Sequence, residues 1–393
     1  MHERPSVALL IESSNSYARG LLRGISAYVR EHESWSVFLP EIERGHEPPP
    51  WFDRWEGHGV IARIENQRIA RRVTSLKVPV VDVSAARAVA DIPWVETDDA
   101  AVAEMGFAHL RERGYWQLGF CGDPKFNWSN WRCEHFAELA RRDGRSCYIY
   151  PTTNGTDKHV SWSREMEQLC RWVRSLPKPI GIMACYDFKA QQLLDACRKE
   201  GIVVPEEVAV IGVDNDELVC DLCEPRLSSV ILDPYRTGYT AAQLLDQLMT
   251  GKNSEPKAHL IPPIGVETRL SSGIFAVDDK VVATALQFIR QHAKDGITVE
   301  DVARAVESSR RALDSRFVAV LGRTPHAEIA RVRIDRVKQL LVETDLPLTV
   351  IADRAGFAYV EYLSVAFKRS VGVSPGEFRQ ANGTIKAPHR KIS

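Results

Sequence analysis

No apolar run in the 393 residues approaches the ~20 needed to cross a membrane. The first such run, Val7–Ile11, is shorter than a secretory core and no cleavage-like sequence follows it. The expected location is therefore the cytoplasm, with no membrane partner. Cysteine is scarce: the eight residues are scattered, which argues against a disulfide framework. Cys220-x-x-Cys223 has no second pair and no histidine cluster beside it, whereas zinc needs three or four ligands, so no metal is expected. Walker loops, G-x-G-x-x-G, H-E-x-x-H and G-x-S-x-G are all missing. No cofactor is expected, and an enzyme would need an acid–base pair assembled only by folding. There is also no net excess of one charge sign, the formal charge being −1.

The distribution of that charge carries more. From Ile274 onward there are 19 Lys and Arg against 14 Asp and Glu, a balance of +5. Residues 1–273 hold 32 and 38, a balance of −6. A basic C-terminal third behind an acidic remainder is what a DNA-reading module attached to a sensor would show.

Through the first two thirds, strand-like and helical stretches alternate. Ser6–Glu12, Val37–Pro40, Gly59–Ile64 and Val78–Val83 read as strands, with a helical stripe over Tyr17–Arg30 and a proline-rich loop at Glu47–Trp51. The pattern recurs at Gln117–Cys121, Cys147–Tyr150, Gly181–Ala184 and Val208–Val213, with helices near 131–142, 161–175 and 187–200. Such alternation predicts parallel sheets covered by helices on both faces. Two halves in tandem predict two lobes with a ligand cleft beyond the carboxyl ends of their strands.

The C-terminal third is helical throughout. Leu348, Ile351, Ala352 and Ala355 form one helix face, and Gly356 follows where a chain leaving a helix needs positive φ. A second helix starts near Tyr359, with Leu363, Ala366 and Phe367 inward; Ser374-Pro375-Gly376-Glu377 reads as a cap, an N1 proline and a capping acid. Upstream, Thr298 caps one helix, Ser308 or Ser309 caps the next with Ala312, Leu313 and Phe317 inward, and Pro325–Thr344 reads as one long helix. Spacing alone fits an ordinary helical hairpin as well as a wedge whose second helix enters the DNA major groove.

The IA-x-x-x-GF, AFKRSVGVSP and Phe378-Arg379 elements resemble the AraC/XylS transcription regulators, whose two helix-turn-helices are joined by a long helix. Over residues 1–272 the chain resembles the LacI/GalR effector domain, itself similar to periplasmic sugar-binding proteins. That resemblance rests on Val95–Asp99, Gly106…His109-Leu110…Arg113-Gly114, Arg132…Phe136, Met183–Asp187 and Val208–Asp214. Because a sheet already begins at residue 6, no LacI-type headpiece fits in front. Sensor first and AraC-type module second resembles the xylose operon regulators. The implied architecture is an α/β two-lobed periplasmic-binding-protein-like domain (1–272), a linker (273–279) and an all-α double helix-turn-helix domain (280–393). The fold implies three crossings between lobes, placed near Gly114, Val230 and Gly251–Lys257.

A sugar needs paired donors and acceptors with an aromatic ring against its C–H face. Asp214 ends an apolar strand, where its carboxylate would face the cleft; the resemblance implies that it binds the effector and that Arg132 is a second ligand. Asp98, Tyr17 and Arg19 are further candidates, Trp128 and Trp131 stand beside Arg132 as stacking candidates, and Tyr186 takes a place where the family often has a polar contact. Each has a bland alternative: Asp214 as a turn cap, Arg132 as a surface residue, the tryptophans as core. Asp187 reads as a helix N-cap rather than a ligand. On the DNA side the first wedge offers Arg310, Arg311, Asp314 and Ser315, and the second Val360, Glu361, Tyr362 and Val365, with Lys368 and Arg369 for phosphates. The AraC-type pattern often has a polar or basic residue where Val365 stands. The expected partners are double-stranded promoter DNA, a small sugar (D-xylose by the resemblance), RNA polymerase and a second copy of the chain. A different effector on the same architecture, or a sugar-processing enzyme, are the rival readings.

Overall fold

The computed structural model describes residues 4–32, 34–151, 162–251, 258–273, 279–344 and 346–382. The chain divides into two compact units, Met1–Ala276 and Val277–Ser393. Most of the expected linker, 274–278, lies outside the described residues.

The described residues of the first unit form two six-stranded sheets. Its elements up to the first crossing are β1 (Ser6–Leu10), α1 (Ser16–Glu31), β2 (Ser36–Phe38), β3 (Gly59–Ala62), α2 (Gln67–Thr74), β4 (Val80–Asp82) and β5 (Trp94–Thr97). There follow α3 (Asp99–Glu112), β6 (Gln117–Cys121), α4 (Asn127–Arg142), β7 (Cys147–Ile149), α5 (Trp162–Ser175), β8 (Ile180–Ala184), α6 (Asp187–Lys199), β9 (Val208–Val213), α7 (Glu217–Leu222) and β10 (Ser228–Ile231). The unit closes with α8 (Pro234–Met249), β11 (Ala258–Ile261) and β12 (Gly265–Glu267). Lobe 1 holds the sheet β11-β5-β4-β3-β1-β2, parallel throughout. Lobe 2 holds β12-β10-β9-β8-β6-β7, parallel except for β12.

The crossings differ from the expected places at two of three points. The chain leaves lobe 1 between β5 and α3, not near Gly114. The buried face of α3, including Val102, Phe107 and Leu110, packs into the lobe 2 core with Phe120 and Met183. Gly114, at φ +82°, only turns the chain from α3 into β6 within that lobe. The second crossing joins β10 to α8, close to Val230 as expected. The third joins β11 to β12 across Pro262 and Pro263, beyond the Gly251–Lys257 stretch, of which 252–257 lie outside the described residues. Three short links thus meet at the base of the cleft, where the Asp98 amide donates to the Ile261 carbonyl at 2.9 Å and the Ile264 amide to that of Ile231 at 2.8 Å.

Lobe 1 is bolted together by α1 against α8. A Cβ on Gly24 would fall 1.9 Å from the Tyr235 carbonyl oxygen, and one on Gly238 would fall 2.0 Å from that of Leu21. Only glycine allows the two backbones this close.

Among the described residues of the second unit, seven α-helices form two small cores. α9 (Lys280–His292), α10 (Val299–Ala305) and α11 (Arg310–Leu321) pack Leu286, Ile289, Val302, Leu313 and Phe317 against Ile329. α12 (Pro325–Glu343) carries Ile334, Val337 and Leu341 into the second core, shared with α13 (Leu348–Arg354), α14 (Val360–Val371) and α15 (Pro375–Asn382). Thr298 makes a capping box with Asp301, and Ser309 caps α11. Ser374 and Glu377 exchange backbone–side-chain bonds at the start of α15. Ala312, expected inward, is exposed; Leu313 and Phe317 fill that face, with Leu321 half-buried beside them. Gly356 takes φ +77° between α13 and α14, and a Cβ there would also strike the Ala293 carbonyl oxygen at 2.2 Å.

Candidate functional site

Both sheets have a switch point, where connections from neighbouring strands leave in opposite directions and a crevice opens at the carboxyl ends. In lobe 1 it lies between β1 and β3, in lobe 2 between β6 and β8. The two crevices face each other across a cavity of ≈ 190 Å³, a volume for a small ligand.

Five of the eight expected ligand residues line it: Tyr17, Trp128, Arg132, Tyr186 and Asp214. Arg132, on α4, is 4 % exposed. Its Nε donates to Asp99 at 2.7 Å and its Nη1 to the Cys185 carbonyl at 2.7 Å, which fixes the guanidinium plane. The Trp128 ring lies 4.8 Å below it and meets Tyr186 edge-on at 5.6 Å. Asp214 follows β9 at φ +106°, a conformation an aspartate rarely adopts. Its carboxylate has no hydrogen bond among the described residues. Burial pushes its pKa up to about 6, against the pull of Arg132, Arg44 and Arg63.

Three candidates lie elsewhere. Asp98 caps α3 by accepting from the Ala101 amide at 3.0 Å, so it serves the first crossing rather than the cavity wall. Arg19 turns back to the carbonyls of Ser13 and Ser14. Trp131 lies outside the cavity under the Arg87 guanidinium, 4.2 Å away. Asp187 is not the N-cap of α6: Tyr186 holds that position. Instead Asp187 is buried in the cavity wall and accepts from the Asp216 amide at 2.8 Å and the Ser229 hydroxyl at 2.6 Å. Burial, then the Asp214 charge, raise its pKa well above the ordinary range. The Cys220 thiol points at it, 3.6 Å away, and Cys223 belongs to the lobe 2 core. Among the described residues no group of three His, Cys, Asp or Glu could hold a metal.

Of the lobe 1 wall, sequence reasoning found Tyr17 and missed Arg63, Arg44 and Glu96. Arg63 follows β3 just as Asp214 follows β9, and that shared position was the signal available. Arg63 is pinned by Glu12 and by Glu65, 2.9 Å away. Arg44 reaches Glu65 at 3.0 Å while its guanidinium covers the Phe126 ring of lobe 2 at 4.7 Å. Glu96 stands on β5. In all, the cavity arginines stand beside at least as many carboxylates, an environment for neutral hydroxyls rather than for a phosphate.

In the helical unit, Arg311 and Ser315 are exposed on α11. Arg310 is tied to Glu300 and lies 3.9 Å from Asp314, so those two partly cancel. On α14, Glu361, Lys368 and Arg369 are exposed, with Tyr362 at 55 % and Val365 at 68 %. Val360 instead leans on the second core. Tyr359, which precedes α14 and is 72 % exposed, was not foreseen as part of this face.

A two-lobed sugar-type cleft followed by a double helix-turn-helix defines a sugar-responsive transcription regulator, not an enzyme. Family models match in the same order: a XylR N-terminal domain at 6–100, a periplasmic binding protein-like domain at 107–272 and a helix-turn-helix domain at 302–381. The xylose operon regulatory protein of Escherichia coli K12 is 30% identical over 394 residues, covering 98% of this chain and 99% of that one. The Haemophilus influenzae protein of the same name is 32% identical over 382 residues, 95% and 97% of the two chains. The solved structure of the xylose-binding transcription activator XylR superposes with a TM-score of 0.84 at 30% identity, over 98% of this chain and all of that one. The chain belongs to the xylose operon regulator family. No helix among the described residues is long and apolar enough to cross a membrane.

Proposed function

We propose that this regulator binds D-xylose between its lobes and activates xylose-utilisation genes. The observation that carries the reading is the Asp214 carboxylate, with no hydrogen bond among the described residues, at the wall of a small cavity also lined by Arg132 of its own lobe and by Arg44 and Arg63 of the other. An ionised carboxylate there accepts two neighbouring hydroxyls, Arg132 donates to a ring or hydroxyl oxygen, and Trp128 offers an apolar face. The relatives' effector supports xylose among the aldoses. A sugar touching both walls favours the closed arrangement only by its greater affinity for it. Closure then repositions the helix-turn-helix units of a homodimer on paired promoter half-sites, in the cytoplasm, within reach of RNA polymerase.

Calorimetric titration with D-xylose, L-arabinose, D-ribose and D-glucose tests the effector. Selective heat with D-xylose is expected; silence with all four would transfer the site to another ligand and leave DNA binding untouched. For DNA, Arg311 is the exposed first-wedge arginine without an ion-pair partner among the described residues, positioned to bridge guanine O6 and N7. Arg311→Ala is expected to relax specificity at one base pair, an effect of about 1–3 kcal/mol. Equal weakening on every sequence, measured by competition binding, would make it a phosphate contact instead.

A further inference from the structure

Among the cavity-lining residues two buried side-chain atoms have no hydrogen-bond partner: Arg63 Nε and Glu96 Oε2. Both belong to lobe 1. A buried acceptor left unmade is costly and calls for an explanation. Glu96 is 3 % exposed, and its other oxygen, Oε1, accepts from Arg87 Nε at 3.0 Å and from Nη2. Burial raises the Glu96 pKa, opposed first by Arg87 and last by hydrogen bonding from the Trp94 indole, two residues back on the same strand, although Trp94 Nε1 and Glu96 Oε2 fall short of a formed hydrogen bond.

Arg87 continues the chain of contacts across the cleft. Its backbone sits at φ +49°, a strained value for an arginine. Its guanidinium covers Trp131 of lobe 2 at 4.2 Å. Beside it the Asn127 amide, also of lobe 2, donates to the carbonyls of Ala85 and Ala86 at 3.3 and 3.2 Å. These contacts clasp one lobe to the other, and the clasp is anchored on a residue of the cavity wall.

We propose that Glu96 is a sugar-contact and coupling residue: Oε2 accepts a hydroxyl of the bound sugar while Oε1 holds Arg87 on Trp131, so that filling the cavity tightens the clasp between the lobes. The inference rests on the sugar reading of the cavity. It assigns lobe 1 a specificity group to set against Asp214 in lobe 2. It also gives Trp131 a role in closure rather than in sugar stacking.

The test uses the full chain with D-xylose and its monodeoxy derivatives, read by calorimetry and by tryptophan fluorescence. Wild-type protein is expected to lose about 10- to 100-fold affinity when the hydroxyl facing Glu96 is removed, the weight of one hydrogen bond to a charged group. In Glu96→Ala that derivative and D-xylose should bind within about twofold of each other, because the acceptor is gone. Arg87→Ala should keep the deoxy penalty, weaken all sugars alike, and lose the sugar-induced change in tryptophan emission. A Glu96→Ala protein with wild-type affinity for D-xylose, or with every deoxy penalty intact, overturns the inference while the sugar reading stands. Wild-type protein that binds none of these sugars overturns both. Thermal melts of the two variants identify a folding defect, and Arg87→Ala then decides the case: an intact emission change would refute the clasp.

Discussion

Asp214→Asn is expected to bind sugar at least ~100-fold more weakly than wild type and yet to be the more stable protein. The affinity loss follows from replacing two charge-assisted hydrogen bonds, each worth about 1.5–3 kcal/mol, by one neutral acceptor and a misplaced donor. The stability gain follows from linkage. Asp214 titrates at about 6 in the folded chain against 3.8 as a free side chain. For an acid whose folded pKa is raised, the fold disfavours the ionised form. That penalty is absent below pH ~4, grows between the two pKa values, and is fully present above about 6. At neutral pH it amounts to about 3 kcal/mol at most, taking 1.36 kcal/mol per unit. Asparagine never pays it, and asparagine tolerates positive φ better than most residues. Urea melts at pH 7.5 and pH 4.5 check this: the variant should lead by ~1–3 kcal/mol at the higher pH, with the gap closing at the lower. In the wild type, sugar affinity should fall as pH drops through 6, and binding near pH 6 should release protons. Equal stability at both pH values would show that Asp214 is satisfied in the free protein.

Arg132→Ala carries the largest expected loss of stability. Arg132 and Asp99 form an ion pair at 2.7 Å, both side chains being 5% exposed. Removing one partner leaves the other charge buried and uncompensated, which destabilises by about 3–5 kcal/mol. The Cys185 carbonyl loses its donor at the same stroke. Burial already raises the Asp99 pKa, with Arg132 as the main opposing influence. Without the arginine that pKa rises further, so the defect is fully present above the new value and eases as pH falls through it. Asp99→Asn added to Arg132→Ala should recover part of the loss, because it removes the orphaned charge. A single variant that melts like wild type would show that Asp99 finds water or another donor.

The regular parts of this chain were open to reading from the sequence because they repeat a local rule. Residues 117–121 and 208–213 are apolar runs with turn residues after them, and both strands have those bounds in the structure. Thr298, Ser309 and Gly356 announce helix ends through side-chain and backbone chemistry that acts within four residues. The site was half legible for the same reason. Asp214 was visible at the end of a strand, and Arg132 through its family motif. Arg63 and Glu96 take their meaning from Glu12 and Arg87 and from a wall assembled out of distant segments, which no window along the chain contains. The first crossing was misplaced because Gly114 punctuates the sequence more loudly than the link through Asp98. Asp187 resembled a cap because an acid at the start of a helix usually is one. Here the backbone amide it holds is that of Asp216, 29 residues on.

The way α8 returns to α1 has a consequence for synthesis. Five of the six lobe 2 strands come from one unbroken stretch, 117–231, so most of that sheet can form as soon as it leaves the ribosome. Lobe 1 cannot. Its edge strand β11 pairs with β5 from more than a hundred residues away, and the glycine-lined face of α1 has no cover until α8 appears. At ~5–20 residues per second the nascent chain carries that open face for ~10–40 seconds. Contacts so distant in sequence also close slowly even when the whole chain is present. The first segment made is therefore among the last to be sealed, and during that interval it is the part of the regulator most in need of a chaperone.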